Sequence, residues 1–554
     1  MIFLSNVSES SLFQSKGDLF SSTYISGYLK GSLAINHSKY SEANFFFSKI
    51  KDLEKNHDPY SFQYIFSLAL DGKINEANKL IVNLKDINKD NYLLQLIQGI
   101  YQIKNRNYQS AQNIFINANI ENPLLGELNN YINLWLNIYL SEIQNKVTQV
   151  ENFKSSFDNI KLIQSLLIYD FINNKELYDQ TSKKILQQQS LGRYHFFHSI
   201  HLIKEKQFQE VEKILIKQIE HNPNDLLIKQ SYVELKEENF SFFSKTYESN
   251  NINHGISELL YLFANLMQQQ QQLDFSKLLN SLSHYLNPNF TTNNLLNYEN
   301  AILHDENNNF LDKKLQDNIA SLGSEYQWYI NFSNLLKSTS DKKINTEYLL
   351  GLLEKKLSNS KYFNYSKLID LGNYYRSIKN YKRALSYYSQ AEAIAISENK
   401  NWKIHYYKGI CNERLGNFEI ADQDFLLALK YSPQEYVVIN YLAFSWLERG
   451  VNLEKSKLML EKAVRLSKWE LGYIIDSLGW AHYLLNNYQE AEKILQIAYE
   501  KTTAEAEVYD HYADALWKNN KKIQARYIWQ KATNLSTIDE ERLKKINKKL
   551  IHGL

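Results

Sequence analysis

Alanines that follow a polar turn recur at a constant interval near the N-terminus. Ala43, Ala77 and Ala111 are evenly spaced at an interval of 34, which we call the period, and a large apolar residue follows each alanine four positions later. A fixed period of this length is typical of arrays in which one helix pair is repeated, because a single pair cannot bury its own apolar face. The period therefore predicts a stack of similar helix pairs.

The same pattern returns in the C-terminal third of the chain. A small residue opens each of five repeats, and a second small residue, alanine or serine, follows twelve or thirteen positions later. The opening residues are Gly372, Gly409, Ala443, Gly479 and Ala513, with gaps of 37, 34, 36 and 34. Small side chains at these two places allow two helices to cross closely.

Composition supports helices and excludes several classes of protein. Only 17 glycines and 5 prolines occur among 554 residues, so the turn residues that β-rich architectures require are scarce. The net charge of +2 argues against a protein built around nucleic-acid phosphates. A single cysteine, Cys411, excludes an internal disulfide and a cysteine-based zinc finger. No run of 18 or more apolar residues is present, so no transmembrane segment is predicted.

These spacings and residue types resemble the tetratricopeptide repeat family. The stretches "DSLGWA" at 476–481 and "DHYADALWK" at 510–518 are further similar to the end of bacterial, alphaproteobacterial-type members. The resemblance implies an all-α, right-handed superhelical α-solenoid of helix-turn-helix repeats, closed by a C-terminal capping helix. It also implies that the first helix of each repeat lines a concave groove in which partners dock.

The repeats predict four regions along the chain. N-terminal repeats occupy residues 1–123, and a degenerate region of helical pairs occupies 124–365, with a hinge expected near 290–309. Five C-terminal repeats occupy 366–535, and residues 536–554 form the cap. The glutamine run at 268–272 is predicted to lie in a solvated turn between two helices.

Motifs that carry chemistry are absent from the sequence. No GxxxxGK[ST], GxGxxG, GxSxG or HExxH motif occurs. His195, His198 and His201, with Glu205, have the spacing of helix neighbours, but a metal site is a weaker interpretation than hydrogen-bonded helix histidines. Cys411 is interpreted as a small buried hydrophobe rather than a nucleophile. No catalytic residue, metal or cofactor is predicted.

The resemblance assigns groove positions three to four residues on either side of the small residue in each C-terminal first helix. The predicted groove consists of Asn373, Arg376, Tyr406, Glu413, Asn440, Phe444, Asp476, Trp480, Tyr483, Asp510, Asp514 and Trp517. Its carboxylates would suit a basic or hydrogen-bond-donating partner. Its tryptophans either bind a partner as anchors or pack between repeats, and both interpretations stay open.

The sequence therefore predicts a noncatalytic scaffold or adaptor that binds protein or peptide segments, and not nucleic acid. The alternative is an accessory subunit that delivers clients to an envelope-assembly or glycan-modifying enzyme complex. An enzyme hidden in residues 124–365 and membrane-surface binding through the basic tail are further hypotheses. The sequence as given indicates a cytoplasmic location, or a periplasmic one if an N-terminal signal is missing or removed. It leaves the oligomeric state open.

Overall fold

Helices account for the regular structure of this chain. The computed structural model describes residues 22–55, 57–84, 91–290, 323–338, 346–394, 402–502, 505–536 and 538–554. Within these ranges the chain forms α-helices and two short 3-10 helices, and no β-strand. The predicted all-α fold of repeated helix pairs is thereby confirmed.

Contacts divide the chain into two compact units, the N-terminal unit Met1–Leu349 and the C-terminal unit Leu350–Leu554. The finer boundaries at residues 123, 365 and 535 stay predictions. The predicted hinge near 290–309 lies, from residue 291 onward, outside the described ranges.

The N-terminal unit consists of helix pairs in which odd-numbered helices come first and even-numbered helices second. The helices are α1 (Ser22–Asn36), α2 (Tyr40–Ser48), α3 (Asp58–Leu70), α4 (Ile74–Val82), α5 (Tyr92–Lys104), α6 (Tyr108–Ile116), α7 (Pro123–Leu140), α8 (Ile143–Asn152), α9 (Asp158–Phe171), α10 (Lys175–Leu186), α11 (Gly192–Lys204), α12 (Phe208–His221), α13 (Leu226–Lys236), α14 (Phe240–Thr246), α15 (Ile252–Gln269), α16 (Leu273–Leu286) and α17 (Ser324–Ser338).

The C-terminal unit begins within α18 (Thr346–Asn359) and continues as five pairs and a final helix. These are α19 (Asn364–Ser377), α20 (Tyr381–Ile394), α21 (Trp402–Arg414), α22 (Phe418–Tyr431), α23 (Tyr436–Glu448), α24 (Leu453–Leu466), α25 (Gly472–Leu484), α26 (Tyr488–Lys501), α27 (Ala506–Lys518), α28 (Lys522–Thr533) and α29 (Glu540–His552).

One turn geometry recurs between the two helices of a pair. Between α19 and α20, Lys379 adopts a left-handed backbone with φ 60°. The amide of Asn380 then donates to the carbonyl of Tyr375 at 2.8 Å, the closing bond of a Schellman motif. The glutamine run contains the same turn, with Gln271 at φ 60° between α15 and α16. The chain makes this turn with lysine, asparagine or glutamine as well as glycine, which fits its low glycine content.

Close helix crossings explain the small residues of the repeat. A Cβ added at Gly372 would lie 2.5 Å from the ring of Tyr388, and one added at Gly409 would lie 2.6 Å from Phe425. In both pairs an aromatic side chain of the second helix packs directly on the backbone of the first helix. A larger residue would collide with that ring, so the spacing of glycine and aromatic residue sets the distance between the helices.

In the N-terminal unit, the pair α15–α16, which we call the central hairpin, packs against the first helices of earlier pairs. It contacts α3 and α5 through α16, and α7 and α9 through α15. The backbone of Gly255 lies so close to Trp135 of α7 that an added Cβ would overlap the indole. These elements therefore share one apolar core.

Polar contacts fix the same hairpin along its length. Ser281 donates its hydroxyl to the carbonyl of Ala69 at 2.5 Å, and Lys104 donates to the carbonyl of Leu286 at 3.0 Å. Lys277 donates to the hydroxyl of Ser38 at 2.8 Å. Because these bonds join residues about 180 to 240 positions apart in sequence, the N-terminal unit is closed by long-range contacts.

The C-terminal unit ends in the predicted capping helix, α29. Asp539 caps its N-terminus by accepting from the amide of Arg542 at 2.8 Å. Ile546 is fully buried against the last pair, whereas Lys545 is largely exposed. The helix thus covers the apolar end of the stack and presents charge to water.

Candidate partner-binding surface

The twelve predicted groove residues lie on five successive first helices of the C-terminal unit. They occupy α19, α21, α23, α25 and α27, and we call the surface that they form the first-helix face. Each position was assigned from the resemblance, so the contacts of each side chain decide what the surface can offer a partner.

At the α19 end of the face, the polar groups satisfy one another. The hydroxyl of Tyr388 donates to Asn373 Oδ1 at 2.8 Å, and Arg376 Nε donates to the Tyr388 oxygen at 3.2 Å. The Arg376 guanidinium also lies 5.1 Å from the centre of the Tyr407 ring. The positive charge is therefore held by a ring and a hydroxyl of the protein itself.

The middle of the face is aromatic. Tyr406 is half-buried, with its ring 5.9 Å from Tyr441 and 6.2 Å from Phe425. Phe444 is half-buried against the core of the following pairs. Burial raises the pKa of the Tyr406 hydroxyl, so this phenol stays neutral at ordinary pH.

Two further predicted residues of this region are polar. Glu413 lies 3.3 Å from Arg414 Nε, and Asn440 is buried. The Oδ1 atom of Asn440 has no hydrogen-bond partner in the structure.

A buried ion pair joins α25 to α27. Asp476 Oδ2 lies 2.9 Å from His511 Nδ1, and both side chains are almost fully buried. Burial opposes a charge on His511, but the nearby carboxylates, Asp476 above all, together outweigh it and raise the pKa of the imidazole. The ring of Trp480 stacks on His511 at 4.0 Å and on Tyr483 at 4.6 Å. Asp476 and Trp480 thus hold two first helices together.

The two carboxylates of α27 are paired with the capping helix. Lys549 Nζ donates to Asp510 Oδ1 at 2.7 Å and to Asp514 Oδ2 at 2.7 Å. Trp529 Nε1 donates to both residues, at 3.1 and 3.0 Å. Burial and the neighbouring Asp510 raise the pKa of Asp514 to about 6. Neither carboxylate is free for a partner.

Trp517 is also used internally. Its ring lies 5.5 Å from that of Trp529, and the backbone of Gly553 packs so closely on the indole that an added Cβ would overlap it. Of the two interpretations of the groove tryptophans, these contacts favour packing for Trp517.

Side chains that keep exposed aromatic surface are the part of the face available for contact. Tyr406, Phe444, Trp480 and Tyr483 are half-buried, and Tyr473 of α25 is 40% exposed. We call these five residues the aromatic strip. Sequence reasoning missed Tyr473, although it lies one turn before Asp476 on the same helix, where the repeat spacing would place it on the same side.

The corresponding face of the N-terminal unit is occupied by the chain itself. The central hairpin covers α3, α5, α7 and α9, which are first helices of their pairs. The buried carboxylate of Glu258 on this hairpin forms a two-pronged ion pair with Arg193 of α11, at 2.7 Å for each bond. A partner could reach these first helices only by displacing a packed core.

The histidines singled out in the degenerate region are engaged by neighbouring side chains. His198 Nδ1 lies 3.0 Å from the Tyr178 hydroxyl, and His201 Nδ1 lies 2.9 Å from Asp170. Burial lowers the pKa of His198 to about 4. Glu205 points instead to Lys175, at 3.1 Å. Among the described residues, no group of three or more histidine, cysteine or acidic side chains is arranged to hold a metal ion.

Two observations concern the remaining candidates. Cys411 is buried beside Gly409, and burial raises the pKa of its thiol to about 12, which leaves little thiolate. Among the described helices, none combines the length and the hydrophobicity that a transmembrane span requires.

Comparison with known proteins gives similarity of fold over part of the chain. No family model and no curated protein matches it. A solved structure of TTC0263, a tetratricopeptide protein of Thermus thermophilus, is 17% identical and covers 34% of this chain and 99% of its own, with a TM-score of 0.30. A structure of MamA from Desulfovibrio magneticus is 15% identical and covers 34% and 98%, with a TM-score of 0.28. At these values the similarity carries no information on partners.

Proposed function

We propose that this tetratricopeptide-like chain is a noncatalytic scaffold that binds a segment of a partner protein on the first-helix face of its C-terminal unit. The aromatic strip carries the proposal. Its five side chains retain exposed ring surface on a face whose N-terminal counterpart is filled by the central hairpin. Aromatic side chains of this kind are typical anchors of protein interfaces, because each buries a large area at low entropic cost.

The chemistry of the face favours an apolar or aromatic partner segment. Asp476 is paired with His511, and Asp510 and Asp514 are paired with Lys549. A basic partner would have to compete with these internal cations, so it would gain little from the carboxylates. We therefore expect affinity to depend on ring contacts and to change little with salt.

The same pairings support a noncatalytic role. A general acid or base must exchange a proton with a substrate, whereas the titratable groups at the α25–α27 end of the face are buried in ion pairs with other residues of the chain. The buried thiol of Cys411 is likewise poorly suited to act as a nucleophile.

Site-specific photo-crosslinking tests the proposal directly. A benzophenone amino acid would replace Tyr473, on the first-helix face, or Tyr527, a control on the second helix α28 that is 60% exposed. In extract of the source cells, position 473 should form discrete adducts that position 527 does not form. Equal adducts at both positions, or none at position 473, would refute the proposed face.

Affinity measurements with an identified partner then test the chemistry. Tyr473→Ala should weaken binding about tenfold, as expected for an interface anchor, and Tyr527→Ala should not. Raising the salt concentration from about 0.1 M to about 0.5 M should change affinity less than threefold or so. A strong salt dependence would instead indicate a charged partner. Adducts with subunits of one enzyme complex would favour the alternative role as an accessory subunit.

A further inference from the structure

One face of α7 carries a strip of asparagines. Asn130, Asn133 and Asn137 are spaced by three and four residues, so their side chains lie on the same side of the helix. Asn130 and Asn137 are exposed, and Asn133 is half-buried. The opposite side of α7 is packed, since Trp135 lies against the backbone of Gly255 in the central hairpin. The strip therefore faces away from the apolar core of the N-terminal unit.

The asparagine strip forms one wall of a cleft of about 270 Å³, which we call the amide cleft. Helix α8 and the residue that follows it form the other wall, with Gln149, Asn152 and Phe153. Five carboxamides thus line the cleft together with two apolar side chains, Leu134 and Phe153. None of the described residues that line it is charged, so the cleft offers no counter-charge to an ionic ligand.

Two of these carboxamides use only half of their hydrogen-bonding capacity inside the protein. Gln149 Nε2 donates to Ser141 Oγ at 2.8 Å, and Asn133 Nδ2 donates to the carbonyl of Phe115 at 3.3 Å. The amide oxygens of Gln149 and Asn133 are buried and have no hydrogen-bond partner among the described residues. A buried acceptor without a partner costs free energy, which a hydroxyl bound in the cleft can recover.

The remaining polar groups of the cleft are open to a ligand. Asn130 and Asn152 are exposed, and neither side chain forms a hydrogen bond within the described ranges. Asn137 Oδ1 accepts from Gln112 Nε2 at 2.5 Å, which orients the amide and leaves its NH₂ group for a ligand acceptor. Because each carboxamide combines a donor with an acceptor, the cleft suits a neutral ligand that also offers both.

The density of carboxamides distinguishes two neutral ligands, a peptide main chain and a sugar. The cleft has room for roughly nine waters at about 30 Å³ each, which is the space of about two peptide residues or of one to two sugar rings. Each peptide residue offers one N–H and one C=O, whereas a hexopyranose ring offers about four hydroxyls that each donate and accept. Five carboxamides in this space are therefore matched by a sugar and exceed what a peptide can use.

We propose that the amide cleft is a binding site for a neutral saccharide built of hexopyranose rings. Sugar hydroxyls bond to Asn130, Asn137 and Asn152. The half-buried ring of Phe153, held 4.7 Å from Tyr131, presents its electron-rich face to the polarised C–H groups of the sugar. The cleft lies in the N-terminal unit and the first-helix face in the C-terminal unit, so this inference is independent of the proposed function.

Saturation-transfer NMR on the full chain tests the site, because this method detects weak ligands of a large protein. The probes are maltotriose, cellotriose, mannotriose and the trimer of N-acetylglucosamine, each at about 1 mM. At least one of these sugars should receive saturation from the wild-type protein. Asn130→Ala with Asn152→Ala should weaken that binding about tenfold, because two hydrogen bonds to the sugar are lost.

Asn113→Ala with Asn159→Ala is the matched control, since both residues are exposed carboxamides outside the cleft. The control should bind the sugar like the wild type. Both double variants should keep the wild-type melting temperature, because none of the replaced side chains forms a hydrogen bond within the described ranges.

Three results would overturn the proposal. The first is that none of the four sugars receives saturation, and the second is that binding persists in the Asn130 and Asn152 variant or falls equally in the control. The third uses an uncharged peptide of alternating glycine and serine as a further probe. If this peptide binds more tightly than every sugar and is lost in the Asn130 and Asn152 variant, the cleft is a site for a peptide main chain instead.

Discussion

At the residue scale, several polar side chains of the first-helix face form ion pairs and hydrogen bonds with neighbouring helices. Lys549 is the clearest case, because its ammonium group, on α29, contacts both Asp510 and Asp514 of α27. This half-buried cation lies where two carboxylates would otherwise repel each other. The family pattern assigns both aspartates to a groove, but only the reach of the capping helix shows what they do.

Removal of the bridging ammonium should destabilise the end of the C-terminal unit. Lys549→Met leaves the buried Asp514 without a cation and leaves Asp510 with only Arg542, at 3.7 Å. We expect a loss of about 3 kcal/mol in local stability. Native-state hydrogen exchange of α27 to α29 measures that loss. Lys545→Met is the matched control on the same helix, because its ion pair with Glu541 is exposed and screened by water, so its removal should leave exchange nearly unchanged. Similar losses in the two variants would contradict the role of the bridge.

The His511–Asp476 pair gives a pH dependence with a definite sign. The pKa of His511 is raised above 6.5 in the folded state, so the pair stabilises the fold fully below that pH. The contribution is lost as the pH rises through the raised value. The stability difference between the wild type and His511→Phe should therefore shrink as the pH rises above 6.5, measured by hydrogen exchange of α25 and α27. A difference that grows with pH would contradict this assignment.

At the element scale, most of the described pairs contain a residue held in a left-handed conformation between their two helices. Lys379 adopts φ 60° with a full side chain, which strains the backbone. Lys379→Gly should relieve this strain and stabilise the C-terminal unit by about 1 kcal/mol, seen as a higher urea midpoint. Ser386→Gly, on the exposed side of α20, should have the opposite effect and cost about 0.5 kcal/mol. Destabilisation by both variants would show that the turn is not strained.

How much could be predicted from sequence also differs by element. The crossings at Gly372 and Gly409 follow from the period, because a glycine and an aromatic residue sixteen positions later recur together. The packing of Gly553 on Trp517 has no repeat partner and therefore gives no periodic signal. The central hairpin was equally invisible. Its helix α16 meets α3 through Ser281 and the turn after α1 through Lys277, more than 200 positions away, and both residues look ordinary in sequence.

The candidate site shows the same limit. All twelve groove residues lie on the expected first helices, but the pairing of Asp510 and Asp514 with Lys549 depends on the path of the capping helix. Tyr473 was missed because groove positions were assigned only within one helical turn of the small residue, whereas Tyr473 lies more than one turn before Gly479. That the twelve residues bind a partner remains a prediction, which the cross-linking experiment tests.

At the scale of the whole molecule, the two units should respond differently to one substitution. Gly255→Ala drives a methyl group into Trp135 at the junction of the central hairpin with α7, at a cost of about 1 to 3 kcal/mol. Because the hairpin touches several pairs, exchange should rise throughout α3 to α9. Gly409→Ala produces a similar clash with Phe425, but its effect should remain within neighbouring pairs, as in a linear array.

A matched control separates the clash from a general effect of alanine. Gly126 lies in α7, and a Cβ added there meets no atom within 4 Å. Gly126→Ala should raise stability by up to about 1 kcal/mol through helix propensity. A local response to Gly255→Ala, confined to α7 and α15, would show that the N-terminal unit does not unfold as one body.

The central hairpin also limits how the number of helix pairs in such a chain can evolve. A linear array tolerates duplication of a helix pair, because every new pair meets neighbours like the old ones. Insertion of a pair between α5 and α7 would carry Trp135 away from Gly255 and break the closure, so the number of pairs between them is fixed. We therefore expect homologous chains to vary in the number of helix pairs between α19 and α28, where no central hairpin has to be matched. The number of pairs from α3 to α16 should stay constant.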